Sequence, residues 1–199
     1  MRILLVEGEP GVANEIHAEL DAAGHRVTGC DPADPSVPCR GLDNVGDCPL
    51  DAGDIDVAVV GRRGGPLTVS ERGALCASRR RIPVVVAGDP RSAVSFGPGT
   101  HMARDDLLGA CERAAVSGAA HVAAVQRTLL ISGAIRLADL EGDDARVAIE
   151  VSREPSRLRM VVRVPGDDLR AASIAKSAAE ALRRFDPYTT VIDVVVSTT

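Results

Sequence analysis

The sequence predicts an α/β fold, a doubly wound parallel sheet followed by a small α+β module. Two features of the first half support this prediction: short apolar runs without polar alternation, and intervening stretches whose apolar residues recur every three or four positions. The second half instead contains runs in which apolar and polar residues alternate, as in an open antiparallel sheet. We expect two domains, over residues 1–118 and 119–199.

The apolar runs of the first half are too short for helices and are therefore predicted as strands. They are Arg2–Val6, Arg26–Cys30, Asp56–Val60 and Ile82–Ala87, with a short fifth strand expected within Val94–Met102. Their nearly continuous apolar character indicates strands that are buried on both faces of a parallel sheet.

The stretches between these strands carry helical periodicity. Val12, Ile16 and Leu20 recur at intervals of four and predict a helix that ends near Gly24. Two more helices are predicted, one over Thr68–Arg80, with Thr68 or Ser70 as its N-cap, and one over Asp105–Val116. Residues Asp31–Gly53 are rich in Pro, Gly and Asp, so we expect a long irregular loop there.

The second half is predicted to form a helix followed by a ββαβ module. The helix is expected over Ala119–Ile131, and a hairpin then turns at Glu154-Pro155-Ser156. The elements of the module are the strands Arg146–Val151 and Arg157–Val164, the Ala-rich helix Asp168–Phe185 and the strand Val191–Val196. One face of such a sheet needs a cover, which could be the first domain, the helix Ala119–Ile131 or a second copy of the chain.

Composition argues against two kinds of partner. The net charge is −5, Lys176 is the only lysine and there are only three aromatic residues, so neither a basic face nor a stacking platform for nucleic acid is expected. The chain contains no unbroken apolar run of about 18 residues, so no membrane span is expected. Its N-terminus has no secretory signal pattern, which predicts a cytoplasmic location.

The order of several motifs resembles the receiver domain of response regulators. These motifs are the opening RILLVEGEP, the helix after it, the strands DIDVAVVG and IPVVVAGD, and the helix that begins at Asp105-Asp106-Leu107-Leu108. The resemblance covers roughly the first 118 residues. It departs in the Asp31–Gly53 loop, where a receiver has a regular helix.

The resemblance implies a phosphorylation site whose side chains are missing here. A receiver carries its nucleophilic Asp at the end of the third strand, and two acids after the first strand hold Mg²⁺. In this chain the nucleophile position falls on Gly61, and one of the two acid positions falls on Gly8. The Thr position falls on Gly88, and the Lys position on or near Thr100. We therefore expect no phosphoryl transfer, no enzymatic activity and no cofactor.

Four charged residues are expected at the vacated strand ends, namely Glu7, Glu9, Arg62 and Arg63. The two arginines stand in a GRRGG segment and could bind an anionic ligand through charge and paired hydrogen bonds. Alternatively, they pair with Glu7 or Glu9 and keep the pocket shut.

Two cysteines of the long loop form a second candidate site. Cys39 and Cys48 flank the stretch RGLDNVGD and could form a disulfide or bind a metal ion, although their spacing is unlike the close pairs of zinc or redox sites. Alternatively, they are ordinary loop thiols that a reducing cytosol keeps free. None of the four histidines has a partner at metal-ligand or triad spacing.

Together these patterns predict a pseudo-receiver that cannot be phosphorylated and acts in signalling or regulation through protein–protein contact. By resemblance to receivers, a homodimer is expected through the helices Asp105–Val116 and Ala119–Ile131. Two alternatives stay open. One is a small-molecule or anion sensor that uses the vacated pocket, and the other is a redox- or metal-responsive protein that uses Cys39 and Cys48.

Overall fold

A computed structural model gives the architecture of the chain. It describes residues 1–30, 39–42, 48–52, 54–88, 94–97, 100–103, 106–140, 147–154, 157–165, 170–187, 189 and 191–198. The chain divides into two compact units, Met1–Ala115 and Val116–Thr199. Each unit has its own sheet.

The first unit contains a parallel sheet of five strands. In chain order these are β1 (Arg2–Glu7), β2 (Arg26–Gly29), β3 (Val57–Arg62), β4 (Val84–Gly88) and β5 (Thr100–Ala103). Their spatial order is β2-β1-β3-β4-β5, and every neighbouring pair is parallel. This order is that of flavodoxin-like α/β sheets, so the predicted parallel α/β sheet is confirmed.

Both faces of this sheet are buried, which explains the missing polar alternation in its strands. Three helices follow the strands: α1 (Ala13–Ala22), α2 (Arg72–Arg79) and α3 (Leu107–Val116). Ile3 and Leu5 of β1 belong to one apolar cluster with residues of α1 and α3. Leu4 and Val6 belong to a second cluster with residues of α2.

The elements differ from the prediction in detail. Helix α2 begins at Arg72 with Glu71 as its N-cap, so the predicted cap at Thr68 or Ser70 is wrong; the Thr68 hydroxyl donates to the carbonyl of Gly8 instead. The long loop contains two short 3-10 turns, Arg40–Leu42 and Pro49–Ala52. Residues 31–38 and 43–47 of this loop, and Gly53, lie outside the described residues.

The second unit contains two helices and a three-stranded sheet. Its elements are α4 (Ala119–Ile131), β6 (Ala148–Glu154), β7 (Arg157–Val164), α5 (Ala171–Phe185) and β8 (Val191–Thr198). The sheet order is β6-β7-β8, with β7 antiparallel to β6 and parallel to β8. Alternate residues of β7 are buried in a cluster with residues of α4 and α5, so these helices cover one face of the sheet.

None of the helices in the described part of the chain combines the length and the apolar character needed to cross a bilayer.

Candidate functional site

The candidate site lies at the carboxyl ends of β1 and β3, where the strand order reverses. Ligands of open parallel sheets bind in the crevice outside such a point. Here the ladder between β1 and β3 continues to this point, since the N–H of Gly8 donates to the carbonyl of Gly61 over 3.1 Å. A Cβ atom on Gly8 would lie 2.5 Å from that carbonyl oxygen, so an acidic side chain has no room at position 8.

Two further positions that the receiver resemblance assigns to the phosphorylation site, Gly61 and Gly88, are also hemmed in by neighbouring atoms. A Cβ atom on Gly61 would lie 2.8 Å from both Val12 Cγ1 and Ile16 Cδ1, which come from the start of α1. Gly88 has a φ of +124°, and a Cβ atom there would lie 1.6 Å from the carbonyl oxygen of Arg62. Apolar and backbone atoms thus occupy the space that an aspartate and a hydroxyl side chain would need.

A buried ion pair holds the strand ends in this closed arrangement. The side chains of Arg62 and Glu71 are 1% and 2% exposed, and the guanidinium Nη1 donates to Glu71 Oε1. Arg62 Nη2 donates to the carbonyl of Gly65, and Glu71 Oε2 accepts the Thr68 N–H over 2.5 Å. Thr68 Oγ1 donates to the Gly8 carbonyl over 2.9 Å, so the network reaches from α2 back to β1.

The alternation of β3 explains why Arg62 pairs with Glu71. Arg62 follows Ala58 and Val60 on the face of β3 that packs against α2, and Glu71 immediately precedes that helix. The predicted pairing of Arg62 with Glu7 or Glu9 is therefore wrong. The missed signal was the spacing Thr68-Val69-Ser70-Glu71, which matches a helix-start pattern that places a glutamate at a helix N-terminus.

The remaining predicted site residues contact the backbone of the nearby loops. Glu9 Oε1 accepts the N–H groups of Gly65 and Arg63, over 2.9 and 3.0 Å. These hydrogen bonds, foremost the one from Gly65, lower the pKa of Glu9. Glu7 Oε1 accepts the N–H of Gly11 over 2.6 Å. Gly65 is thus hydrogen-bonded to both Glu9 and Arg62, and the same Glu9 oxygen binds the backbone of Arg63. Glu7 instead binds the loop before α1.

These residues do not fit the Mg²⁺ ion that the receiver resemblance implies. Mg²⁺ requires several oxygen ligands in near-octahedral geometry. Gly8 and Gly61 supply no carboxylate, and the carboxylates of Glu7 and Glu9 accept backbone N–H groups instead. Across the described residues, no group of three or more His, Cys, Asp or Glu side chains is arranged to hold a metal ion.

The loop cysteines lie near the end of β2. Cys39 and Cys48 are half-buried free thiols. The Arg40 N–H donates to the carbonyl of Cys30 over 3.2 Å, and a Cβ atom on Gly41 would lie 2.9 Å from Cys48 Cβ. Cys39 and Cys48 are thus not bonded to each other, and their redox or metal role stays a prediction.

The five thiols are expected to differ sharply in reactivity. Burial raises the pKa of Cys111 to about 11, which leaves it almost wholly protonated at neutral pH. Under native conditions we expect a maleimide to label the exposed Cys76 and to leave Cys111 unlabelled, as resolved by peptide mass spectrometry. Labelling in denaturant, where all five thiols react, is the control. Native labelling of Cys111 as fast as that of Cys76 would contradict the buried position.

The second unit contains a buried polar cluster that sequence spacing did not predict. His121 Nε2 lies 2.9 Å from Asp186 Oδ2, and both side chains are less than a twentieth exposed. Thr189 donates its N–H and its hydroxyl to the same carboxylate. Burial raises the pKa of Asp186, but the hydrogen bonds from His121 and Thr189 outweigh it, so the net pKa lies below its ordinary value.

This cluster joins two elements that are distant in the chain. His121 lies in the first turn of α4 and Asp186 follows α5 directly, 65 positions later. The ring of Phe185 packs edge-on against His121, with the ring centroids 5.3 Å apart. The cluster therefore fixes the start of α4 to the connection between α5 and β8.

Comparisons with protein-family models, with curated proteins and with solved structures found no match for this chain.

Proposed function

We propose that this chain is a pseudo-receiver that regulates other proteins by direct contact, without phosphoryl transfer. The observation that carries the proposal is the closed end of the sheet, where Gly8, Gly61 and Gly88 stand at the positions of the phosphorylation machinery. The strand order β2-β1-β3-β4-β5 supports it, as do apolar clusters on both faces, which fit the doubly wound arrangement of receivers.

The buried network supports a binding role rather than a switching role. In a receiver, phosphorylation rearranges the loops at the carboxyl ends of the strands. Here the corresponding loops are joined by the Arg62–Glu71 pair and by the hydrogen bonds to Gly8 and Gly65. Such a unit would present one constant surface to its partner, whatever the phosphorylation state of the cell.

The anion-sensor alternative has less support. Of the two arginines expected to receive a ligand, Arg62 is buried and paired with Glu71, and only Arg63 is exposed. An anion that approaches from solvent would thus meet one guanidinium instead of two, without the paired geometry that favours anion binding.

The remaining parts of the proposal concern location and assembly. We place the protein in the cytoplasm, with a domain boundary near residue 118 and the second unit as an assembly or partner-binding module. Its partner is another protein or a second copy of the chain. The resemblance to receivers favours contact through α3 and α4, while nucleic acid and membranes are not expected partners.

Exposure to a phosphoryl donor tests the proposal. We expect the full chain to show no phosphoryl adduct by intact mass spectrometry after incubation with Mg²⁺ and phosphoramidate, because it lacks the nucleophile and the Mg²⁺ ligands. The variant Gly61→Asp introduces a carboxylate, yet it should also remain unmodified, because Val12 and Ile16 fill the space at position 61 and Gly8 still cannot provide the second acid.

A competent receiver treated in parallel serves as the positive control, and the solution mass of the chain is followed by light scattering. We expect that mass to be the same with and without beryllofluoride, which mimics the phosphoryl group. An adduct on the wild-type chain, or a beryllofluoride-dependent change in mass, would overturn the proposal.

A further inference from the structure

Strand β8 differs from the other sheet edges that the structure describes. Proteins protect edge strands by keeping them short or by placing charges on them. In the first unit, β2 and β5 have four residues each, and in the second unit β6 carries Glu150 and Arg153. Strand β8 is eight residues long and has the sequence VIDVVVST, in which Asp193 is the only charged residue.

The apolar residues of β8 are exposed on both faces of the sheet. Val196 pairs in register with the buried Val162 and so lies on the face that α4 and α5 cover, yet it is 43% exposed. Val191 and Val195 lie on the opposite face and are 40% and 41% exposed. A helix or loop packed on the sheet would cover only one of these faces. A further strand at the edge covers both, because its side chains alternate between them.

We propose that β8 pairs antiparallel with β8 of a second copy of this chain, around a two-fold axis at Val195, to form one six-stranded sheet. This register places Val195 opposite its own copy and Val194 opposite Val196, which are β-branched pairs that stabilise sheets. An antiparallel contact of a strand with itself is closed by symmetry, so the assembly stops at a dimer.

The charges of β8 are compatible with this register. Asp193 is already paired with Arg157 of the neighbouring strand, with 3.3 Å between Nη1 and Oδ2. In the dimer, Asp193 faces Ser197 of the partner, whose hydroxyl can donate to the carboxylate. Pairing centred on Asp193 would instead place two carboxylates opposite each other, which is destabilising.

The size of the contact predicts a dimer that dissociates on dilution. Stable protein interfaces bury about 1,200–2,000 Å² in total, and weak or transient contacts bury less. A single edge of eight residues belongs to the smaller class. The solution mass of the full chain, measured by light scattering, should therefore rise from 20.7 kDa towards twice that value as concentration increases.

Cysteine cross-linking tests the register directly. In a Cys76→Ser background, which removes the exposed native thiol, Val195→Cys should form a disulfide-linked dimer under mild oxidation by diamide, because the two thiols face each other. Val191→Cys is the matched control, since Val191 has the same exposure but faces position 199 of the partner. Equal cross-linking of the two variants, or none in either, would overturn the register.

A charge at the same position tests the edge itself. Val195→Lys should keep the chain monomeric at concentrations at which the wild type dimerises, whereas Val195→Thr, which keeps the β-branched shape, should dimerise like the wild type. Circular dichroism and the unfolding curve show that the lysine variant is folded.

A wild-type chain that stays monomeric at every concentration would overturn the β8 proposal, as would a dimer that persists in Val195→Lys. A dimer that persists in Val195→Lys would favour the contact through α3 and α4 instead. Neither result bears on the absence of phosphoryl transfer, because the cross-linking and mass measurements use no phosphoryl donor.

Discussion

The variant Glu71→Gln is expected to destabilise the first unit by about 3–5 kcal/mol, because it leaves the buried guanidinium of Arg62 without a counter-charge. The amide of glutamine can still accept one hydrogen bond, so the loss reflects mainly the uncompensated charge. Because the chain has two units, the loss should be read locally, as faster hydrogen exchange of the amides in β3 and β4.

Replacing both Arg62 and Glu71 distinguishes the effect of an unpaired buried charge from the effect of lost packing. The double variant Arg62→Met/Glu71→Leu removes both charges while it retains apolar volume, and such replacements of buried ion pairs are often neutral. We expect it to recover most of the stability that Glu71→Gln loses. Some loss should remain, because the Thr68 N–H and the Gly65 carbonyl lose their side-chain partners.

An exposed ion pair provides the matched control. Glu150 pairs with Arg163, but its side chain is 61% exposed, so Glu150→Gln should leave the unfolding free energy nearly unchanged. If Glu71→Gln lowers the unfolding free energy no more than Glu150→Gln does, the Arg62–Glu71 ion pair is not shielded from water. Another interaction would then have to hold the loops at the carboxyl ends of β1 and β3 together.

The parallel sheet could be predicted from the sequence because its signal is local. Within β1, β3 and β4, the runs Ile3–Val6, Val57–Val60 and Val84–Ala87 are apolar at every position, as expected where both faces of a strand are covered. The missing functional side chains at positions 8, 61 and 88 could also be predicted from the sequence, since glycine has no side chain with which to bind phosphate or metal. That their space is already filled could be seen only from the structure.

The two buried polar pairs were missed for a physical reason. Arg62 and Glu71 are nine positions apart, and His121 and Asp186 are 65 apart, so no helical or strand period brings either pair together. Tertiary packing decides which carboxylate a buried cation meets. Of the four charged residues expected at the strand ends, Arg62 pairs with Glu71, which directly precedes α2. The strand alternation directs the Arg62 side chain to the face of the sheet that packs against this helix.

The variant Asp186→Ala is expected to destabilise the second unit by about 2–3 kcal/mol. It leaves the buried ring N–H of His121 without an acceptor, which costs about 1–3 kcal/mol, and the two donors of the half-buried Thr189 lose their acceptor at a smaller cost. Asp193→Ala is the matched control: it removes the same residue type from an ion pair that is about half exposed, and should cost less than about 1 kcal/mol.

The charge of Asp186 also predicts how acid acts on the second unit. Its pKa in the folded protein lies below the ordinary value of 3.8, so its contribution to stability is complete above that value and is lost as pH falls through the folded pKa. The variant Asp186→Asn removes this titration. The difference in unfolding free energy between wild type and Asp186→Asn should therefore shrink as the pH falls from about 5 towards about 2.

Hydrogen exchange locates this acid effect. Because Asp186 fixes the start of α4 to the connection between α5 and β8, the first hydrogen-bonded amides of α4, beginning with that of Val122, should lose protection first as the pH falls. Exchange rates are compared at each pH with those of Asp186→Asn, which cancels the intrinsic pH dependence of the chemistry. A difference between the two proteins that grows on acidification would show that the carboxylate is stabilised as the neutral acid, and that its hydrogen bonds do not outweigh its burial.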